Sequence, residues 1–153
     1  MKKIYVLVAV LCCIYTSEAQ SYEYQVITSV ESIIPSGAGR SRLVSTNENR
    51  NYKDFTSVRT DGKTVKDKRN KSDRGDIRVK NFDETKLLNF YNIAGIRFQN
   101  IAANDAVITS KINTMSSDGW ELAFVTSAVE SDAGKDDGKG IFITRYIFKK
   151  LKE

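Results

Sequence analysis

Residues 104–122 read NDAVITSKINTMSSDGWEL, and this stretch decides the fold. Val107, Ile108, Ile112 and Met115 recur at three- and four-residue steps, which places them on one stripe of an α-helix. The spacing predicts a helix over 105–117, with Asn104 as its N-cap and Asp105 adding negative charge at the positive end of the helix dipole. Gly119 falls where the chain must leave the helix through a left-handed residue, and Trp120 follows it, placed to pack back on Met115. From there the pattern turns from helical to alternating, which predicts a strand over 120–128 with Trp120, Leu122 and Phe124 on one face.

Working outward, residues 21–33 read as a strand. Tyr22, Tyr24, Val26, Thr28 and Val30 alternate with Glu23, Gln25, Ser29 and Glu31, and Ile27 breaks the alternation, so part of the second face is also covered. Pro35-Ser36-Gly37-Ala38-Gly39 has turn chemistry, and residues 40–46, RSRLVST, are predicted to return beside the first strand as a hairpin. Residues 83–93 admit two readings, a short helix capped by Asp83 or a strand. Residues 130–140, ESDAGKDDGKG, form a polar hairpin loop. The last strand, 141–149, is apolar on both faces apart from Thr144 and Arg145, which places it centrally in the sheet. The expected fold is α+β: a single small domain, a mostly antiparallel sheet of three to five strands with one main helix packed on one face.

The first nineteen residues have a different character. Met1-Lys2-Lys3 is followed by the uncharged apolar run IYVLVAVLCCIY, residues 4–15, and then by Thr16-Ser17-Glu18-Ala19, with small residues at −3 and −1 of a cut after Ala19. This is the three-part pattern of a secretory signal peptide. The apolar run is too short for a membrane span, which needs roughly 20 residues. A buried N-terminal strand or helix competes but does not explain the flanks. Lipidation at Cys12 or Cys13 is opposed by the lack of a small residue just before either cysteine. The expected mature domain is 20–153, periplasmic, outer-membrane-associated or secreted, with no transmembrane helix.

Both cysteines lie before residue 20 and the chain has no histidine. The mature domain therefore excludes disulfides, thiolate chemistry, His-based triads and most zinc and copper sites. No cofactor and no catalytic constellation is expected. A Ser–Lys or carboxylate pair would still be chemically possible, but no spacing singles one out. Glu121 lacks a visible partner for general acid–base work and reads as an outward strand residue.

The formal net charge of +5 is unevenly placed. Residues 47–80 are polar and nearly free of large apolar side chains, and are expected to form a long loop insertion ending in an edge strand at 76–79. Within it, residues 59–80 carry nine basic residues against four acids. These are Arg59, Lys63, Lys66, Lys68, Arg69, Lys71, Arg74, Arg78 and Lys80. Nine cations on one loop suit an anionic partner: lipid headgroups, an acidic glycan or an acidic protein face. Export, and the lack of stacking aromatics within 59–80, argue against nucleic acid. The plain alternative is a solvated loop that serves solubility. Arg40 and Arg42, after Gly37-Ala38-Gly39, add a second candidate anion contact, without the spacing of a phosphate-binding P-loop. Asp132, Asp136 and Asp137 near Gly138 suggest a calcium loop, but the ligand order fails and Lys135 and Lys139 oppose a cation.

Three pieces taken together, Tyr22-Glu23-Tyr24-Gln25-Val26-Ile27, Ser117-Asp118-Gly119-Trp120-Glu121-Leu122 and Tyr146-Ile147-Phe148-Lys149-Lys150, resemble a bacterial domain-of-unknown-function family. Its members open with a YEYKVV-type strand, carry a helix that exits through a GWEL-type turn, and close with an aromatic-basic strand. The resemblance covers about half of the mature chain, and the exported form looks like versions found in the Bacteroidetes group. It implies a small α+β fold and a bacterial source but no activity. The long basic insertion departs from the family pattern. The expected function is that of a non-enzymatic binding or accessory component of the bacterial cell envelope. The alternatives are a carboxylate- or serine-based hydrolase and a small-ligand-binding periplasmic protein.

Overall fold

The computed structural model describes residues 20–34, 41–130 and 140–152. The proposed signal segment, Arg40 with its glycine turn, and the aspartates of the 130–140 loop lie outside the described residues. In chain order the elements are β1 (Tyr22–Ser32), β2 (Arg42–Ser45), a 3-10 turn (Tyr52–Phe55), the one-turn helix α1 (Arg74–Ile77), β3 (Asp83–Lys86), β4 (Tyr91–Asn92), β5 (Gly95–Ile96), the long helix α2 (Phe98–Ser117), β6 (Glu121–Glu130) and β7 (Ile141–Leu151). The main sheet has five strands, all paired antiparallel in the order β3-β2-β1-β7-β6, and β4-β5 is a separate two-stranded ribbon.

The pairing register explains which side chains are inside. Ile27 sits opposite Tyr146 and Ser45, Gln25 opposite Phe148, and Ser29 opposite Thr144 and Leu43. These residues share the sheet face that carries α2. Ile27, Leu43 and Phe148 meet Ile108 and Met115 of α2 and Leu87 in one buried cluster, with Val107, Ile112, Trp120 and Tyr146 packed around it. All four apolar stripe positions thus face the sheet, and each fully buried side chain contributes about 2 kcal/mol.

The helix exit matches its sequence signature. Gly119 has φ 84°. Trp120 N–H donates to the Met115 carbonyl at 2.9 Å, and Gly119 N–H to Ser116 at 3.0 Å. That is the Schellman closure, and it delivers the indole onto the core.

Three expectations need correction, and one choice left open is decided. The helix begins at Phe98, not at 105, and Asn104 is no cap. It lies inside the helix, 1 % exposed, where its side chain accepts from Leu88 N–H at 2.7 Å and donates to the Leu88 carbonyl at 2.8 Å and to Glu31 Oε1 at 2.7 Å. A buried amide with these three partners is satisfied in mid-helix, so the helix runs through it. Residues 76–79 form no edge strand: α1 occupies Arg74–Ile77, with Asp73 N–H donating to Asp76 Oδ2 at 2.9 Å. Between residues 83 and 93 the strand reading holds, because Asp83–Lys86 extends the ladder from β2 and Asp83 caps no helix. Finally, Leu122 and Phe124 do not share a face. The register shifts between them, with Leu122 opposite Phe148 and Phe124 opposite Ile147. A bulge inserts one residue and reverses the alternation beyond it.

Candidate functional site

Residues 47–80 leave the sheet at the end of β2 and return at the start of β3, whose ends face each other at Ser45 and Asp83. The insertion is therefore a very long hairpin connection, and its base is stapled. Glu48 Oε1 accepts from Asn81 N–H at 2.9 Å and Asn81 Nδ2 at 2.7 Å, while Oε2 accepts from Arg50 Nη2 at 2.6 Å. Arg50 also donates to the Arg78 carbonyl at 3.2 Å, and Thr46 Oγ1 to the Asn81 carbonyl at 2.9 Å. Partial desolvation opposes ionisation of Glu48, but the donors from Arg50 and Asn81 outweigh it and hold its pKa below the usual carboxylate value.

Further out, the arm closes on itself through polar groups instead of a core. Asn70 Nδ2 and Ser72 Oγ both donate to the Asp54 carbonyl, at 2.5 and 3.3 Å. Val58 and Lys68 exchange both backbone hydrogen bonds, at 2.9 and 3.0 Å. Asp67 closes the tip, accepting from Arg59 Nη1 at 2.9 Å and Thr60 N–H at 2.7 Å. The Arg59 guanidinium, then the Thr60 amide, lower its pKa against a small desolvation effect. The composition predicts a long polar loop nearly free of large apolar side chains; side chain-to-backbone hydrogen bonds supply the organisation that apolar burial does not.

This arrangement leaves the cations outward. Lys63 and Lys66 lie at the tip, Lys68 on the backbone bridge, Arg69 and Lys71 just beyond it, Arg74 on α1, Arg78 at its C-cap, and Lys80 at the arm's base; all are exposed. Among the described residues, Arg59 is the one of the nine with a carboxylate partner. Two concavities lie along the arm. One of about 470 Å³ at the base is lined by residues that include Asn47, Glu48, Lys80 and Asn81. The other, about 500 Å³, lies within the arm and sets Lys53 and Lys68 beside Tyr52, Val58 and Asn70. Tyr52 and Lys53 fall outside the cation-dense window and were not singled out from sequence. Their adjacency, an exposed aromatic next to a lysine upstream of a basic run, was the available signal.

The remaining candidates lie elsewhere. Arg42 is on β2, where its guanidinium donates to Glu84 Oε1 and to the Ser41 carbonyl, so its charge is compensated within the sheet. Glu121 is exposed and pairs with Lys149 at 3.3 Å; Lys149 also stands 5.2 Å from the Tyr22 ring centre. Among the described residues Glu31 is the buried acid. Desolvation pushes its pKa up, the Asn104 hydrogen bond pulls it down, and the negative charge of Asp105 adds to the rise. A raised carboxyl suits acid–base chemistry only where substrate can reach it, and Glu31 lines neither concavity of the arm. Its role in the fold is to receive Asn104.

Among the described residues no helix is long and apolar enough to cross a membrane, and no group of acidic side chains converges as a metal site. Comparison with known proteins returns no match to a family model, a curated sequence or a solved structure.

Proposed function

We propose that this chain is an exported, non-enzymatic binding component of the bacterial cell envelope whose basic arm, residues 47–80, docks on an anionic partner. The observation that carries this reading is the imbalance of pairing: eleven cations on a stapled arm, two of them, Arg50 and Arg59, neutralised by a carboxylate among the described residues. Unpaired, exposed cations held a few residues apart raise the local positive potential without the cost of breaking internal ion pairs. The Tyr52–Lys53–Lys68 concavity supplies a place where one anionic group can be gripped between two ammonium groups and a ring.

The arm's self-closure suits substitution better than deletion as a test. A variant with Lys63, Lys66, Lys68 and Arg69 changed to glutamine keeps the Val58–Lys68 backbone bridge and the Asp67 contacts. Tagged wild type and this variant are compared in capture from native envelope at low and high salt. The proposal expects a defined partner bound by wild type, weakened as salt shortens the screening length from about 10 Å at 0.1 M to about 3 Å at 1 M, and lost with the variant. Equal capture by both proteins would refute it.

A further inference from the structure

The two edges of the main sheet are built differently. β3, at one edge, is four residues long with the sequence DETK, short and charged, which discourages another chain from pairing there. β6, at the other edge, runs ten residues, and every one of them is exposed. Among the described residues nothing pairs with its outer side. From Phe124 to Val129 it reads FVTSAV, with no charge, no proline and no bulge. Phe124 is 61 % exposed, Val125 45 % and Val129 55 %. An uncharged run of this β-propensity on an open edge is a hazard that native sheets cover.

We propose that β6 pairs antiparallel with β6 of a second copy, about a two-fold axis at Ser127. The straight part of the strand beyond the bulge, Phe124 to Glu130, is centred on that residue. Pairing it with itself sets Val125 opposite Val129, Thr126 opposite Ala128 and Phe124 opposite Glu130. Phe124, Thr126 and Ala128 lie on the face away from α2, opposite Ile147, Arg145 and Ile143 of β7, while Val125, Ser127 and Val129 lie on the helix face. The two-fold at Ser127 joins like face to like face, so the two sheets become one of ten strands. The acids select this register. Pairing the whole strand end to end would set Glu121 of one copy against Glu130 of the other, a like-charge pair that destabilises. Centring on Ser127 avoids it and leaves Glu121 with Lys149.

The area sets the strength. Seven paired residues at about 3.4 Å each give an edge about 24 Å long, and with a sheet about 10 Å thick the two copies cover about 500 Å². That is below the roughly 1,200 Å² of a stable interface, so the dimer is weak and forms at micromolar or higher concentration. It would carry its two basic arms at opposite ends, since the arm leaves beside the β3 edge.

Sedimentation velocity over a concentration series tests this with wild type and Val125→Lys, an exposed position outside the buried cluster whose charge blocks the edge. The register is tested by Ser127→Cys in a chain whose Cys12 and Cys13 are replaced by serine. Residues directly opposite in an antiparallel pair lie about 4.5–5.5 Å apart, within disulfide range. Thr126 stands opposite Ala128 and too far from its own counterpart. The expected result is a concentration-dependent dimer for wild type, a monomer for Val125→Lys, and a disulfide-linked dimer for Ser127→Cys but not for Thr126→Cys. A wild type that stays monomeric throughout would overturn the proposal, whether the edge is open or covered by the chain itself. A dimer that survives Val125→Lys, or cross-links equally at residue 126, would overturn the β6 register.

Discussion

Asn104→Ala is the substitution whose cost follows most directly from the geometry. Asn104 ties three elements: β1 through Glu31, the 87–90 segment through both backbone groups of Leu88, and α2, on which it stands. The two bonds to Leu88 are worth about 1 kcal/mol each and the one to the carboxyl group about 2 kcal/mol, so their loss costs about 4 kcal/mol. Alanine is the better helix former, but by under about 1 kcal/mol, and cannot offset this. Against a total stability of about 5–15 kcal/mol the change is severe. At roughly 3 °C per kcal/mol for a chain of this size, the melting temperature falls by about 12 °C. Urea unfolding followed by tryptophan fluorescence measures it directly, because Trp120 packs on the same core. Asn113→Ala, exposed on the same helix, is the control and should stay within about 0.5 kcal/mol. If Asn104→Ala also falls within that range, Leu88 and Glu31 are satisfied by other groups and the clamp is not what joins the three elements.

Glu31→Gln should stabilise the protein at neutral pH. Because the folded-state pKa of Glu31 is raised, its contribution is fully present below the unfolded value and is lost as pH rises through the folded one; melting curves at acidic and neutral pH should show the gain at neutral pH alone. Glu48 and Asp67 have the opposite sign: their folded pKa values are depressed, so their contribution is present above the unfolded values and lost as pH falls through the folded ones. The protection factors of the Asn81 and Thr60 amides, referred to the intrinsic exchange rate at each pH, should therefore fall on acidification through that window while those of α2 hold. Gly119→Ala should cost about 1–2 kcal/mol by chemical denaturation, because a left-handed residue with a Cβ is strained; the added carbon meets only the flexible Lys150 side chain, at 3.4 Å, so a clash adds nothing further.

What could be read in the sequence was what has a local period. The stripe from Val107 to Met115 and the glycine–tryptophan exit are set by contacts within a few residues, and both stand in the structure as expected. The hairpin of β1 and β2 and the interior position of β7 followed from alternation and its loss. The helix start was misplaced because Asn104 has the chemistry of a cap, and the partners that make it a clamp are 16 and 73 residues away. The bulge beyond Leu122 has no sequence mark, so the face of Phe124 was assigned by simple alternation. For the arm, the charge was legible and the order was not. Asn70 reaches Asp54 across 16 residues through a single side chain, and such bonds leave no hydrophobic pattern behind them. Tyr52 and Lys53 joined the candidate site only because that closure brings Lys68 back beside them.

The central claim, that the arm is an anion-binding surface, is tested most directly by following backbone amides in NMR spectra while a short polyglutamate peptide is added at low salt. The account predicts shifts concentrated at Lys53, at residues 63–71 and around Tyr52, reversed by salt, with α2 and β6 unmoved. Shifts spread evenly over the surface, or confined to residues outside 47–80, would contradict it.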